Sequence, residues 1–349
     1  VHLAARFGSG IMTAMPKQPL LPYDMFDLER SAKEARRYAK MESIYHRGQD
    51  LIWDGKDVLA ELVAKHGKPQ IPADQVPALR KILGQVMWGE LAAWRIALQL
   101  ADELEPLEAR LAATSQAHDE ARHFYVFRDY LEMATGSVPK EVSPATERLL
   151  KLALHSDSMP KKILAMQLQI EATALTIFHA LRESNLCPVL TDLLIYFEKD
   201  EARHVGLGTQ MLPGMLETMS IPQRIGFTGH SIKVGLASVM SMAGVDKELL
   251  TLGIDPRRML VLGKSKQMAV FDQLFKGAPG LRDTRGDYVG NIIDALAEAL
   301  WPTPGTEGSL QARAERIWHT YKTGLEVTEV VLDPTEAPVM PVGRSTLLN

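Results

Sequence analysis

One pentapeptide occurs twice in this chain, as Asp119-Glu120-Ala121-Arg122-His123 and again as Asp200-Glu201-Ala202-Arg203-His204. Both copies lie in long runs of Ala, Leu, Glu, Arg, Lys and Met whose apolar residues recur with helical spacing. On a helix, residues three apart share a face about one turn from each other, so each Glu can act with its own His on a single metal ion. A lone Glu-x-x-His on a helix is ordinarily surface chemistry. Two copies demand a fold that sets two helices side by side with the motifs at one depth, each supplying half of a centre.

The rest of the chain fits that demand. Period-2 alternation is scarce, and the helical pattern predicts helices over about 26–46, 55–66, 73–104, 107–135, 144–155, 160–184, 189–217, 222–242, 256–276, 287–300 and 309–323. Pro106, Thr135-Gly136, Pro160 and Pro188 punctuate the pattern and delimit four long helices. Residues 1–15 read as a tag or leader, with Met12 and Met15 as candidate starts. A single all-helical domain spans 16–325, with a metal-binding core at 73–217. Residues 326–349 carry three prolines and no sustained period, which predicts an extended tail.

Two-metal carboxylate bundles add one lone Glu from the helix before each Glu-x-x-His helix, because two cations need several hard anionic oxygens besides two imidazoles. Glu90 and Glu171 are in place for that role. Antiparallel neighbours face each other at equal distance from the turn that joins them. Glu90 and Glu120 are equidistant from residue 105, beside Pro106, and Glu171 and Glu201 from residue 186, beside Cys187 and Pro188. Val86, Met87, Ala93 and Trp94 flank Glu90, and Leu168, Ala174 and Leu175 flank Glu171. Each lone carboxylate is therefore expected on a buried stripe, where it needs a partner of opposite charge.

Composition removes several function classes. The 349 residues carry a formal net charge of −4 and no basic stripe, which excludes phosphate-backbone recognition and makes nucleic acid no partner. Cys187 is the one cysteine, so neither an internal disulfide nor a thiolate cage can form, and a cytoplasmic location fits. No uninterrupted apolar run reaches the roughly 20 residues that cross a bilayer.

At these residues the chain resembles the ferritin-like di-iron carboxylate superfamily, in its oxygen-activating branch. DEARHFYVFRDYL at 119–131 and DEARHVGLG at 200–208 are similar to ligand-binding oxidases related to the ribonucleotide reductase small subunit, and to bacterial multicomponent monooxygenase hydroxylases. The resemblance covers roughly 73–217. It implies an all-α, ferritin-like four-helix bundle with additional flanking helices. It also implies a metal and catalytic set of Glu90, Glu120 and His123 for one ion and Glu171, Glu201 and His204 for the other. The ions would be two Fe, or Mn and Fe, with O2 as co-substrate. Asp119 and Asp200 match the acids that accept the free imidazole N–H of the opposite motif, Asp119 from His204 and Asp200 from His123. Arg122 and Arg203 would neutralise these acids or form ordinary helix ion pairs.

The departures from the family pattern are equally specific. Phe127 stands where small subunits of ribonucleotide reductase carry a radical Tyr, which excludes a tyrosyl radical there. Ala93 and Ala165 replace the Val and Tyr that the ligand-binding oxidases cross-link. Leu175 replaces the Thr of the multicomponent monooxygenases.

The resemblance implies an O2-dependent oxidase or monooxygenase acting on a small, largely apolar substrate. The chain shows no nucleotide-binding Gly fingerprint and no iron–sulfur cysteines, so electrons would come from a separate ferredoxin or flavin reductase. A homodimer is expected. Two other functions stay open, a ligand-binding bundle that keeps metals for stability and a ferroxidase or iron store. Trp94, Ala93, Phe127, Leu175 and Phe197 are candidates for an apolar substrate wall. Glu198, one turn before Glu201, is an extra ligand or an ion-pair partner. The apolar helix at 222–242 has three possible roles: dimer face, lid or membrane contact.

Overall fold

Pro106, Gly136, Ser143 and Pro188 each mark a helix end for an identifiable reason. The chain is described here by a computed structural model covering residues 28–264, 286–303, 305 and 308–325. Among the described residues it is helix and connecting turn, with no strand. The helices are α1 (Leu28–Arg37), α2 (Ala39–Asp50), α3 (Gly55–His66), α4 (Val76–Glu103), α5 (Leu107–Thr135), α6 (Pro144–Leu154) and α7 (Met159–Ile163). They continue with a π-helical segment (Leu164–Ile170), α8 (Glu171–Glu183), α9 (Pro188–Glu217), α10 (Ile221–Ala243) and α11 (Asp246–Thr251). Residues 256–264 form α12, followed by α13 (Gly286–Leu300) and α14 (Leu310–Thr323).

α5 ends on Gly136 at φ +71°, a left-handed position that costs glycine little. The Ser143 side chain accepts from Thr146 N to cap α6, and Asp54 accepts from Lys56 N and Asp57 N to cap α3. Pro188 opens α9, where its missing N–H costs nothing. The α8–α9 turn passes through Asn185 at φ +48°, which Asn tolerates better than most residues.

Two antiparallel hairpins form the bundle. α4 packs on α5, the continuous helix Met159–Glu183 packs on α9, and α5 meets α9 between the hairpins. α2 and α3 lie over α5 and α9, while α6 and α10 pack together on another side. The core falls into two hydrophobic clusters stacked along the bundle. One holds Met87, Val126, Phe127, Tyr130, Phe178 and Phe197; the other holds Ala92, Ile96, Ala113, Leu164, Leu168 and Leu207. The chain crosses from one cluster to the other between 87 and 92, between 113 and 126, between 168 and 178, and between 197 and 207. Each crossing contains one of the glutamates 90, 120, 171 and 201, so a polar layer cuts the apolar core at one depth.

Some expectations need correction. The predicted 26–46 helix is two helices, the second running to Asp50, and α11 was not anticipated. The helix expected at 256–276 is described only to residue 264. Residues 1–15 and the 326–349 tail lie outside the described residues. Met159–Glu183 is long and apolar enough to cross a membrane by length and composition, with a mean hydropathy of 1.2 over an 18-residue window, although Lys161, Lys162, Gln167, Gln169 and Glu171 break any continuous apolar run. In this fold 61% of that window is buried and the helix carries Glu171, which makes it the inner helix of a hairpin.

Candidate metal centre

α4, α5, α8 and α9 each contribute one glutamate to the polar layer, and α5 and α9 add one histidine each. All six side chains are 4% exposed or less. They form two overlapping groups, Glu90, Glu120, His123 and Glu201, and Glu120, Glu171, Glu201 and His204. Within each group the candidate ligand atoms lie within 4.8 Å of one another. Glu120 and Glu201 belong to both groups, as carboxylates placed to serve two ions would.

Both imidazoles present Nδ1 to this cluster. His123 Nδ1 is 3.3 Å from Glu90 Oε2 and 3.2 Å from Glu201 Oε1. His204 Nδ1 is 2.9 Å from Glu201 Oε2 and 3.1 Å from Glu120 Oε1. The opposite ring nitrogens face the two aspartates, His123 Nε2 at 3.0 Å from Asp200 Oδ2 and His204 Nε2 at 3.3 Å from Asp119 Oδ2. These are the cross-pairings the resemblance implied. An Nε2–H donated to Asp leaves the Nδ1 lone pair directed at the cluster.

Arg122 and Arg203 close a ring around the aspartates. Arg122 Nη2 donates to Asp119 Oδ1 at 2.6 Å and to Asp200 Oδ2 at 2.7 Å. Arg203 donates to Asp200 Oδ1 and to Asp119 Oδ2, both at 2.7 Å. Each arginine therefore ties the two helices together as well as pairing within its own. Burial pushes the Asp119 and Asp200 carboxyls up, but the facing imidazoles and arginines outweigh it and hold both below the usual range.

The glutamates divide into two kinds. Burial holds the Glu90 and Glu171 carboxyls well above their usual range, and for Glu171 the nearby Glu201 and Glu120 add to it. Burial also pushes Glu120 and Glu201 up, yet the histidines leave both below it. For His123 and His204, burial favours the neutral ring, but the surrounding carboxylates override it and raise both. Glu120 Oε2 and Glu201 Oε1 are buried and make no hydrogen bond: His123 Nδ1 lies 3.5 and 3.2 Å from them, but in the tautomer that donates Nε2–H to Asp200 it offers a lone pair and no proton. An anionic oxygen left without a donor inside a protein is very costly. Two orphaned oxygens from the two shared glutamates, with four carboxylates and two Nδ1 atoms in range, fit a pair of hard divalent cations.

Three neighbours of the centre had no place in the sequence argument. Trp53, in the turn before α3, donates Nε1–H to Asp200 Oδ2 at 2.8 Å, stacks on His123 at 6.2 Å and lies under the Arg122 guanidinium at 4.6 Å. A contact spanning so much of the chain leaves no local signal. Gln116 donates to Glu120 and Glu171 and Gln167 donates to Gln116, and each glutamine stands four residues before a candidate glutamate, a spacing that was legible.

A cavity of about 100 Å³ opens beside Glu90 and Glu171. Val86, Ala93, Leu149, Ile170, Ala174 and Ile177 line it, and α10 closes it with Ser238, Ser241 and Met242. Of the five nominated wall residues, only Ala93 lines it. The Phe197 ring packs tilted against His123 at 4.4 Å and Phe127 against Phe197 at 4.2 Å, and none of these rings lines this cavity. Trp94 is 37% exposed. Glu198 pairs with Arg182, the ordinary role of such a residue.

No family model matches this chain, and no curated protein matches it. Solved structures do. A point mutant of an R2-like ligand-binding oxidase with aerobically reconstituted Mn/Fe cofactor aligns at TM-score 0.49 and 17% identity, over 70% of this chain and 94% of its own. A second such mutant aligns at 0.49 and 18%, over 68% and 92%. An R2-like ligand-binding oxidase with aerobically reconstituted Mn/Fe cofactor after a long soak aligns at 0.42 and 14%, over 80% and 91%. At these scores the similarity carries no weight for chemistry, which is read from this chain's own side chains.

Proposed function

We propose that this chain is an O2-dependent oxidoreductase, an oxidase or monooxygenase, built on a two-metal centre. Its substrate is a small, largely apolar molecule. The observation that carries this is the pair of orphaned oxygens, Glu120 Oε2 and Glu201 Oε1, in a sealed layer where four carboxylates and two imidazoles converge. Glu90, Glu120, His123 and Glu201 would hold one ion and Glu120, Glu171, Glu201 and His204 the other. A pair of Fe ions, or Mn with Fe, would supply there, when bound, the capacity to reduce O2 and oxidise a neighbouring bond.

The protein's own part is positioning and exclusion of water. Asp119 and Asp200 fix the tautomer and ring plane of His204 and His123 by accepting Nε2–H, and Arg122 and Arg203 keep both aspartates ionised. The apolar clusters above and below the layer keep bulk solvent from it. The cavity beside Glu90 and Glu171 would place an apolar substrate against those two carboxylates. Electrons would come from an external ferredoxin or flavin reductase, and a homodimer in the cytoplasm remains part of the proposal.

Single-turnover oxidation tests it. Iron-loaded protein, reduced anaerobically and mixed with O2, should consume O2 with a change in its visible spectrum. Loaded protein that consumes none is not an oxidoreductase of this kind. A chain that takes up metal and gains thermal stability without consuming O2 would instead be the metal-stabilised ligand-binding bundle.

A further inference from the structure

Four residues before each candidate glutamate, one turn back on the same face, stand Val86, Gln116, Gln167 and Phe197. The two hairpins repeat the ligand motif but not these residues. The Phe197 ring packs tilted against His123, and Val86 packs against the same apolar cluster. Gln116 and Gln167 pair with each other across the bundle on the other side, against Glu120 and Glu171.

Donor logic fixes both amides. Glu120 as a carboxylate can only accept, so Gln116 turns Nε2 toward Glu120 Oε1 at 3.0 Å, and the same nitrogen reaches Glu171 Oε1 at 3.1 Å. Its Oε1 then faces Gln167 and accepts from Gln167 Nε2 at 3.3 Å. This leaves Gln167 Oε1 buried with no partner, a penalty that an apolar side chain would avoid. What the amide at 167 contributes here is its N–H, which orients Gln116. Its backbone is held close to α9 by Gly208, where a Cβ would lie 2.6 Å from Gln167 Cβ.

We infer that Gln116, oriented by Gln167, is a positioning residue that makes the two metal positions unequal. It ties Glu171, which belongs to the His204 group alone, and, of the shared Glu120, the Oε1 atom that lies 3.1 Å from His204 Nδ1, leaving untied the Oε2 atom that lies 3.5 Å from His123 Nδ1; Glu90, unique with His123 to the other group, receives no such donor from it. The His204 position therefore depends on the amide pair for its carboxylate geometry, while the His123 position is shaped by aromatic packing. The inference rests on the two-metal reading.

The test uses Mn2+ alone, with the full chain and its Gln116→Leu and Gln167→Met variants. Anomalous scattering at the Mn edge gives occupancy at each position at graded Mn2+ concentrations. Gln116→Leu should weaken the His204 position by about 10- to 100-fold, as loss of a partner hydrogen-bonded to a ligand commonly does, and leave the His123 position nearly unchanged. Gln167→Met, which keeps the volume but not the N–H, should shift the same position in the same direction by less. Equal weakening at both positions, or none at either, in whichever variant folds would overturn the inference. Wild-type protein that takes up Mn2+ at neither position would instead overturn the two-metal reading beneath it.

Discussion

At the residue scale, the centre is a balance of charge in a dry layer. Replacing Glu120 or Glu201 by Ala removes a carboxylate common to both groups, so metal content should fall by at least one ion per chain, measured by elemental analysis. A variant that keeps the wild-type content would refute the shared role. Asp200→Asn should preserve the helical circular dichroism and lower metal affinity by about 10- to 100-fold, because the amide can no longer act as an anionic acceptor for His123. Acidity gives a further test. Burial opposes protonation of His123 and His204, but the carboxylates raise both, and burial raises Glu90 and Glu171. Protons and cations compete for these atoms, so metal uptake releases protons and affinity should fall as pH is lowered. The direction is read by Mn2+ binding in a series of buffers. The six ligand candidates could be anticipated because helical spacing, a repeated motif and equal distances from the turns bring them level, whereas the Asp–His cross-pairs were implied by the family resemblance alone. Trp53 could not, since nothing near residue 53 in sequence refers to residue 200.

Among the elements, the two hairpins were legible for a mechanical reason. Turn residues at 104–106 and 184–187 fall midway between their paired glutamates, so equal arms bring the carboxylates level. The π-helical segment before Glu171 was not, because LAMQLQI carries no signal separating i→i+5 bonding from ordinary helix. Of the five wall candidates only Ala93 lines the cavity beside Glu90 and Glu171, since periodicity gives a face but not which neighbour covers it. α4 offers a test of close packing. A Cβ at Gly84 would lie 2.3 Å from Pro139 Cγ, so Gly84→Ala should destabilise the protein by about 1–3 kcal/mol despite alanine's better helix propensity. Urea unfolding measures it; a stabilised variant would show that the loop at 139 moves aside freely.

For the molecule as a whole, two apolar clusters enclose one polar layer, and the layer's cost must be offset by what binds there. Chelation of the bound metals should therefore lower the melting temperature, and restoring Fe2+ or Mn2+ should recover it in a concentration-dependent way. The most direct test of the central claim is anomalous scattering from crystals of iron-loaded protein at the Fe edge. The account predicts two peaks, one among Glu90, Glu120, His123 and Glu201 and one among Glu120, Glu171, Glu201 and His204. Iron bound elsewhere, or no peak within the carboxylate layer, would contradict it.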